Sequence, residues 1–293
     1  MRAAVLDVGS NTVRLLVAEQ KSRGLKTICA EGVHLGLARD IERDGWISAS
    51  KLGEARSLAS RYADLAREHG ASRIEVVVTA PGRQSANADA LVDALADGAA
   101  APVRVLSAEE EGSLAYAGAV GALTSPTKSV AVCDVGGGST QLLAGTATGP
   151  AWMRPLDLGS LRLTARCLHS DPPTSGELEL ARNEVAEGFA PITPPLVRTV
   201  LATGGSARAL RRLAGRKLGP KELRRCLELA VSAPSEDLAA EHGLQPARAR
   251  TLAAGALILT GAQERFGVPL KVAREGVREG AILSLLSRAE AAA

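Results

Sequence analysis

Two aspartates occupy equivalent places in a phrase that the chain contains twice. The phrase reads VLDVGSNTVRLLV from Val5 and VCDVGGGSTQLLA from Val132, so that Asp7 aligns with Asp134. Each copy predicts an apolar strand that ends in the aspartate, a glycine-rich turn and a second strand. The turns consist of Gly9, Ser10 and Asn11 in the first copy and of Gly136, Gly137, Gly138 and Ser139 in the second. Because such turns present backbone N–H groups to anions, the sequence predicts two phosphate-binding loops.

The position of Asp7 and Asp134 has two interpretations. A carboxylate at the end of an apolar strand is costly to bury unless something binds it. Beside loops that hold phosphate, the expected role is Mg²⁺ binding, directly or through water. The alternative is that each aspartate caps its own turn by a hydrogen bond to the backbone.

Glu111 and Arg83 are the candidate catalytic residues. Glu111 ends an acidic triplet at a predicted helix start, where Ser107 and Glu110 fit a capping box. Capping does not require Glu111, which in a hydrolase orients and deprotonates the attacking water. Arg83 ends the segment TAPGR before another helix. Its guanidinium suits a phosphate, although a surface arginine at a helix start is the simpler interpretation.

A third glycine-rich junction precedes a basic helix in the second half of the chain. The junction consists of Gly204, Gly205 and Ser206. Its amides begin the helix and are therefore suited to hold an anion. The helix carries Arg208, Arg211 and Arg212. These arginines predict a docking surface for a polyanion, or else the solvated face of an ordinary helix.

The elements around these residues indicate an α/β fold class. The first half is predicted to open with three strands and to continue with alternating helices and strands, including a helix over Ala49–Glu68. The second half repeats the opening strands and ends mainly in helices, one of them over Ala247–Phe266. Turn-forming residues cluster over 121–128. We therefore expect domains at residues 1–123 and 124–293, with the last helix able to pack back on the first domain.

Composition excludes several classes of function. The net charge is +3 over 293 residues and aromatic residues make up 2%, so no nucleic-acid partner is expected. The apolar runs are too short to cross a bilayer and no signal peptide precedes the first strand, so no membrane partner is expected. The four cysteines lack metal-ligand spacing and are expected to be reduced thiols of a cytoplasmic protein.

Seven segments of the chain resemble the exopolyphosphatase / guanosine pentaphosphate phosphohydrolase (Ppx/GppA) family in its short two-domain form. They are DVGSNTVRLLV, TAPGRQSANADAL, LSAEEEGSLAYAGAV, DVGGGSTQLLAG, LDLGSLRLT, ATGGSARAL and EGVREGAIL. They occur in the family's order over essentially the whole chain. The resemblance implies two ribonuclease-H-like domains of the actin-like ATPase superfamily, with an interdomain cleft.

The resemblance also implies a reaction and roles for particular residues. It implies that water, assisted by Mg²⁺ or alternatively Mn²⁺, releases the terminal phosphate of inorganic polyphosphate or of guanosine pentaphosphate. Glu111 would be the general base, Arg83 would hold the substrate phosphate and Asp134 would serve the metal. Gln141 stands where family members usually have a metal-site glutamate, and its neutral amide predicts weaker metal binding. A homodimer is compatible with the resemblance.

Three functions are therefore to be compared. The first is the phosphohydrolase, which the double loop, Glu111 and the basic helix favour. The second is a non-catalytic or weakly active protein that binds polyphosphate or guanosine tetraphosphate, which Gln141 suggests. The third is a sugar-kinase-like phosphotransferase, since the same scaffold supports several reactions.

Overall fold

The computed structural model describes residues 1–21, 24–123 and 129–291 of the chain. Two compact units make up the protein, one formed by Met1–Thr124 with Glu275–Ala293 and the other by Ser125–Arg274. Within the described ranges, no helix is both long and apolar enough to cross a membrane.

The first unit contains a five-stranded mixed sheet. Its strands are β1 (Arg2–Val8), β2 (Thr12–Gln20), β3 (Leu25–His34), β4 (Arg73–Val78) and β5 (Val103–Val105). Their order in the sheet is β3-β2-β1-β4-β5. The hairpin pairs β1–β2 and β2–β3 are antiparallel, whereas β1–β4 and β4–β5 are parallel. Because the parallel strands end at one edge, the loops after β1 and β4 lie side by side there.

Helices cover both faces of this sheet. They include α1 (Leu37–Asp44), α2 (Ala49–Glu68), α3 (Ala80–Gln84), α4 (Ala88–Ala99) and α5 (Ala108–Gly121). Side chains alternate along β1, so that Ala4, Leu6 and Val8 join a core cluster with α2 and α4 while Ala3 and Val5 join a cluster on the other face. The alternation of helices and strands predicted from the sequence did not include α1.

The second unit repeats the sheet of the first and adds one strand. Its strands are β6 (Val130–Val135), β7 (Thr140–Thr146), β8 (Gly149–Leu156), β9 (Val200–Thr203), β10 (Lys217–Leu218) and β11 (Leu270–Val272). Their order is β10-β11-β9-β6-β7-β8. The β6–β7 hairpin thus occupies the place of β1–β2, and both sheets have the strand arrangement of a ribonuclease-H-like domain, as predicted.

The structure describes seven helices in the second unit. They are α6 (Ser160–Cys167), α7 (Ser175–Phe189), α8 (Gly204–Ala214), α9 (Pro220–Ala230), α10 (Ser235–His242), α11 (Pro246–Arg250) and α12 (Leu252–Phe266). The helix predicted over Ala247–Phe266 is interrupted at Thr251, whose hydroxyl donates to the carbonyls of Ala247 and Arg248. The competing side-chain bonds explain why the predicted single helix is in fact two.

The closing helix α13 (Val277–Ala291) belongs to the first unit, where α5 and β1 are its neighbours. Its approach to α5 is so close that a Cβ on Gly280 would lie 2.7 Å from the carbonyl carbon of Leu114. Arg288 of α13 donates to both carboxylate oxygens of Glu75 at 2.9 Å. Glycine-mediated packing and this ion pair place residues 275–293 with the first unit, the arrangement that the sequence allowed for the last helix.

Candidate functional site

The loop Gly9–Asn11 of the first unit is fixed by its own backbone. The N–H of Gly9 donates to the carbonyl of Thr12 at 3.1 Å and closes the turn. The carbonyl of Ser10 accepts from the N–H of Ala38 at 2.8 Å, and that of Asn11 accepts from two N–H groups that precede α1. The amide predicted at Gly9 to bind phosphate is thus used inside the turn. The amides of Ser10 and Asn11 are the ones the loop can offer to a ligand.

Asp7 is the next-to-last residue of β1 and lies beside this loop, one residue before the end of the strand. In the antiparallel ladder its cross-strand neighbour is Arg14. A cation directly opposite a carboxylate stabilises its charge. The metal-binding role predicted for Asp7 is not required to explain why a charged residue is tolerated there, and it stays a prediction.

The two candidate catalytic residues of the first unit meet. Arg83 lies on the short helix α3, and its Nη2 donates to Oε2 of Glu111 at 2.8 Å. Its Nη1 donates to the backbone carbonyl of Leu106 at 2.7 Å. Glu111 lies in the first turn of α5 and is only 6% exposed. The bond from the charged guanidinium is charge-assisted. Because Glu111 is buried and Arg83 is also held by Leu106, the arginine orients the carboxylate.

The helix start that carries Glu111 is built by its neighbours. Ser107 accepts from the N–H of Glu110 at 3.1 Å, and the carboxylate of Glu110 accepts from the N–H of Ser107 at 2.8 Å. This is the capping box expected from the sequence. Glu111 takes no part in it, so capping does not account for the third acidic residue of the triplet.

The second loop is anchored by the N-terminus of α6. The N–H of Gly136 donates to the carbonyl of Ser139 at 2.9 Å and closes the turn, as Gly9 does in the first unit. The carbonyl of Gly136 accepts from the N–H of Ser160 at 3.0 Å, and that of Gly137 accepts from the N–H of Leu161 at 2.9 Å. The loop carbonyls therefore face the helix, and Gly136 itself is not an available phosphate donor. Gly138 and Ser139 complete the loop.

Asp134 at the end of β6 is buried, with 5% exposure, and bound to β9. The hydroxyl of Thr203 donates to its Oδ1 at 2.5 Å. Burial raises the pKa of the neighbouring Cys133 thiol above its ordinary value, so that residue offers no thiolate to a metal. Among the described residues of β6, β7 and the loop between them, Asp134 is the only carboxylate.

Gln141 is the cross-strand neighbour of Asp134 and is completely buried. Its Nε2 donates to the hydroxyl of Ser139 at 2.9 Å, which ties the residue to the phosphate loop. A glutamate here would place two carboxylates directly opposite each other on the ladder. The amide avoids that repulsion and still holds the loop.

The residues around Asp134 fit a Mg²⁺ site that has few ligands from the protein. Among the residues that the structure describes, no three His, Cys, Asp or Glu side chains cluster as a metal site. Mg²⁺ commonly keeps several waters and binds through one or two carboxylates plus substrate phosphate. Asp134 with the Thr203 hydroxyl beside it suits that mode, in which the substrate completes the coordination.

The third glycine junction includes a residue that the sequence analysis missed. Gly204 has a left-handed backbone, with φ of +89°, and begins α8. Over the next residue, Gly205, lies the guanidinium of Arg248 from α11, whose Cζ would be 2.7 Å from a Cβ on Gly205. The absence of a side chain at Gly205 therefore allows a cation to lie at the start of α8. Ser206, the third residue of the junction, is buried within the unit.

The predicted docking arginines do not form one uniform face. Arg212 donates to the carbonyl of Gly243 at 2.6 Å, at the C-terminal cap of α10. Arg208 and Arg211 are half-buried on α8. The Arg212 side chain thus has a structural partner, and polyanion docking on this helix stays a prediction.

Comparison with known proteins decides the family. A model of the Ppx/GppA phosphatase family matches residues 16–289. The chain belongs to the Ppx/GppA phosphatase family. Exopolyphosphatase 2 of Mycobacterium tuberculosis is 32% identical, with 97% of this chain and 98% of the relative covered.

Solved structures agree with this membership of the Ppx/GppA family. The Aquifex aeolicus family member has a TM-score of 0.84 and 26% identity, with 99% of this chain and 98% of that chain covered. An exopolyphosphatase from Cytophaga hutchinsonii has a TM-score of 0.88 at 19% identity, with 98% of each chain covered, and shows the shared fold. The chain is thus a phosphatase-family enzyme of the two-unit form.

Proposed function

We propose that this Ppx/GppA family member is an exopolyphosphatase that releases the terminal phosphate of inorganic polyphosphate. Its Mycobacterium tuberculosis relative, exopolyphosphatase 2, aligns over nearly its whole length and supports polyphosphate as the substrate. Guanosine pentaphosphate carries the same kind of terminal phosphoanhydride and is the second substrate to compare.

The observation that carries the proposal is the buried pair of Arg83 and Glu111. A general base must be held within hydrogen-bond reach of the water that it deprotonates. Glu111 is held by the guanidinium at 2.8 Å, and that guanidinium is held by the carbonyl of Leu106 at 2.7 Å. The anchored guanidinium thus fixes the position of the carboxylate. We assign Glu111 the role of general base and Arg83 that of a positioning residue.

The second unit supplies the groups that would bind the metal and the phosphates. Asp134, with the hydroxyl of Thr203 beside it, would hold Mg²⁺ together with substrate oxygens and water. Bound there, the cation would neutralise negative charge on the phosphates. The loop at Gly137 and Gly138, fixed by α6, would hold a phosphate through its backbone.

The decisive experiment compares Glu111→Gln with Glu109→Gln. Glu109 lies in the same helix turn but is exposed, so its variant controls for the loss of one negative charge. Loss of a general base lowers kcat by about 10²–10⁴. We expect that fall for Glu111→Gln in phosphate release from polyphosphate with Mg²⁺, and a near wild-type rate for Glu109→Gln. A wild-type rate in Glu111→Gln would refute the assignment.

Gln141 favours a second candidate, a protein that binds polyphosphate or guanosine tetraphosphate with little turnover. Its buried amide adds no charge next to Asp134, which lowers the expected affinity for metal. Calorimetric binding of polyphosphate without phosphate release, under saturating Mg²⁺ or Mn²⁺, would support this function over the hydrolase. Measurable release under those conditions supports the hydrolase.

A further inference from the structure

A cavity of about 580 Å³ lies between three helices of the second unit, α7, α9 and α12. None of the residues that line it belongs to the loops, the Asp134 pair or the α8 junction described above. Its volume is within the range of sites for small organic molecules. The cavity therefore requires its own explanation.

Three arginines from three different helices line the cavity. They are Arg182 of α7, Arg224 of α9 and Arg265 of α12. All three are exposed, and none forms an ion pair or a side-chain hydrogen bond with any described residue. Glu264 is the only acidic residue of the lining. Unpaired guanidiniums that converge on one cavity favour a ligand with several negative charges.

The remaining lining is apolar and includes an aromatic ring. Val185, Phe189 and Leu257 form its buried base, and the half-buried Leu227 with the exposed Ala186 and Pro220 presents apolar surface to the cavity. A purely inorganic anion gains nothing from such a surface, because each of its atoms is better hydrated in water. A ligand with a flat, weakly polar part would cover this surface and gain from its burial.

Gln263 adds a polar group to this apolar surface. It lines the cavity, is only 7% exposed, and its side chain makes no hydrogen bond within the described part of the chain. The Gln263 amide is not sealed in the core, so its donor and its acceptor are available to a ligand in the cavity. The edge of a heterocyclic base pairs with both.

We propose that this cavity binds a nucleoside polyphosphate, with its base on the apolar wall at Leu227 beside Gln263 and its phosphates on Arg182, Arg224 and Arg265. The site is separate from the one to which hydrolysis is assigned, so its occupant is a ligand additional to polyphosphate. No covalent step is involved.

Calorimetry with ATP, tripolyphosphate and adenosine tests this proposal without any turnover. ATP is expected to bind more tightly than either of the others, because only ATP carries both parts of the ligand. Arg182→Ala and Arg224→Ala are each expected to weaken ATP binding by about tenfold or more. Arg225→Ala is the matched control, since Arg225 is an exposed neighbour on α9 that does not line the cavity. Gln263→Leu should weaken ATP binding and leave tripolyphosphate binding unchanged.

Location and independence are tested on the intact wild-type protein. Photolabelling with 8-azido-ATP should modify peptides of α7 or α12, and labelling confined to other peptides would overturn the proposal. Unchanged ATP affinity in both arginine variants, or tripolyphosphate binding as tight as that of ATP, would also overturn it. Phosphate release from polyphosphate should stay at the wild-type rate in Arg224→Ala. If the chain releases no phosphate, the proposed function fails while the ATP titrations still decide this inference.

Discussion

Nη2 of Arg83 lies 2.8 Å from Oε2 of Glu111, and Nη1 of the same guanidinium lies 2.7 Å from the carbonyl of Leu106. From the sequence alone, the two side chains are expected to have separate roles, phosphate binding for the arginine and water activation for the glutamate. The structure joins them into one unit, in which the arginine is anchored on the backbone and the glutamate is oriented by it. This arrangement changes what substitution of Arg83 should do.

We predict that Arg83→Ala lowers kcat more than it raises KM. Without the guanidinium, Glu111 loses the group that orients it, and misplacement of a catalytic group costs on the order of 10²-fold in rate. Arg83→Lys keeps the charge but cannot reach two acceptors with one rigid group, so its kcat should lie between those of the wild type and Arg83→Ala. Steady-state kinetics of phosphate release from polyphosphate give both parameters.

The opposite division of effects would support the original assignment of Arg83. If the guanidinium binds substrate phosphate directly, KM should rise strongly in Arg83→Ala while kcat changes little. Arg104 offers a matched control in the same unit, because it pairs with Glu110 at 3.0 Å rather than with Glu111. Arg104→Ala should leave both parameters close to their wild-type values.

Gly205→Ala should impair activity without unfolding the protein. The added Cβ would occupy the place of the Arg248 guanidinium, with Cζ only 2.7 Å away. Since a guanidinium is the end of a flexible side chain, it can move at small cost in stability but then leaves the start of α8. We expect KM for polyphosphate to rise by about tenfold, as for one lost charge-assisted bond.

Gly176→Ala is the matched control for that experiment. Gly176 lies near the start of α7, and nothing lies within 4 Å of the position of its Cβ. Alanine there should leave KM unchanged and the melting temperature equal or slightly higher. A wild-type KM in Gly205→Ala would show that the position of Arg248 does not matter for the substrate.

Much of the fold could be predicted because it follows from hydrophobic periodicity. The helix predicted over Ala49–Glu68 is observed with the same bounds, since its apolar stripe and the Ser48 cap are both visible in the sequence. The doubled phrase correctly predicted two equivalent hairpins, β1–β2 and β6–β7. The short, charged helix α1 was missed, although Gly36 and Gly45, both left-handed, mark its ends.

The contacts of the site were less predictable because they join residues far apart in the chain. The types of Arg83 and Glu111 indicated chemistry, but nothing local indicated that they touch. Arg248 gave no signal, since it lies on a five-residue helix and acts through a missing side chain at Gly205. Loop amides were assigned to phosphate without regard to the turn bonds of Gly9 and Gly136. Which backbone amides are already used inside a turn is known only from the hydrogen bonds of the folded chain.

Gln141→Glu should increase the dependence of the protein on Mg²⁺. Gln141 faces Asp134 across the ladder with no exposure, so a second carboxylate there would repel the first. Without divalent cations we expect a lower melting temperature than in the wild type. With Mg²⁺ we expect a larger recovery and half-activation at a concentration lower by on the order of tenfold.

The control for this prediction is Gln141→Met, which removes the bond to Ser139 without adding charge. It should be destabilised to a similar degree with and without Mg²⁺. A Mg²⁺ response of Gln141→Glu equal to that of Gln141→Met would mean that residue 141 does not contact the metal site.

Glu177 provides a test of stability against pH in the second unit. Hydrogen bonds from the backbone of Thr174 and Ser170 hold the pKa of its carboxyl at about 2, against an ordinary value of 4.5, with a smaller contribution from His169. The folded state thus favours the ionised form, so its stabilisation is complete above pH 4.5 and is lost as the pH falls toward 2. Glu177→Gln should melt at a lower temperature than the wild type at pH 7. This difference in melting temperature should shrink as the pH falls from 4.5 toward 2. Glu179→Gln, an exposed change on the same helix, should show no gap at either pH. A gap for Glu177→Gln that is the same at pH 7 and pH 3 would mean that loss of cap geometry, rather than loss of charge, explains its effect.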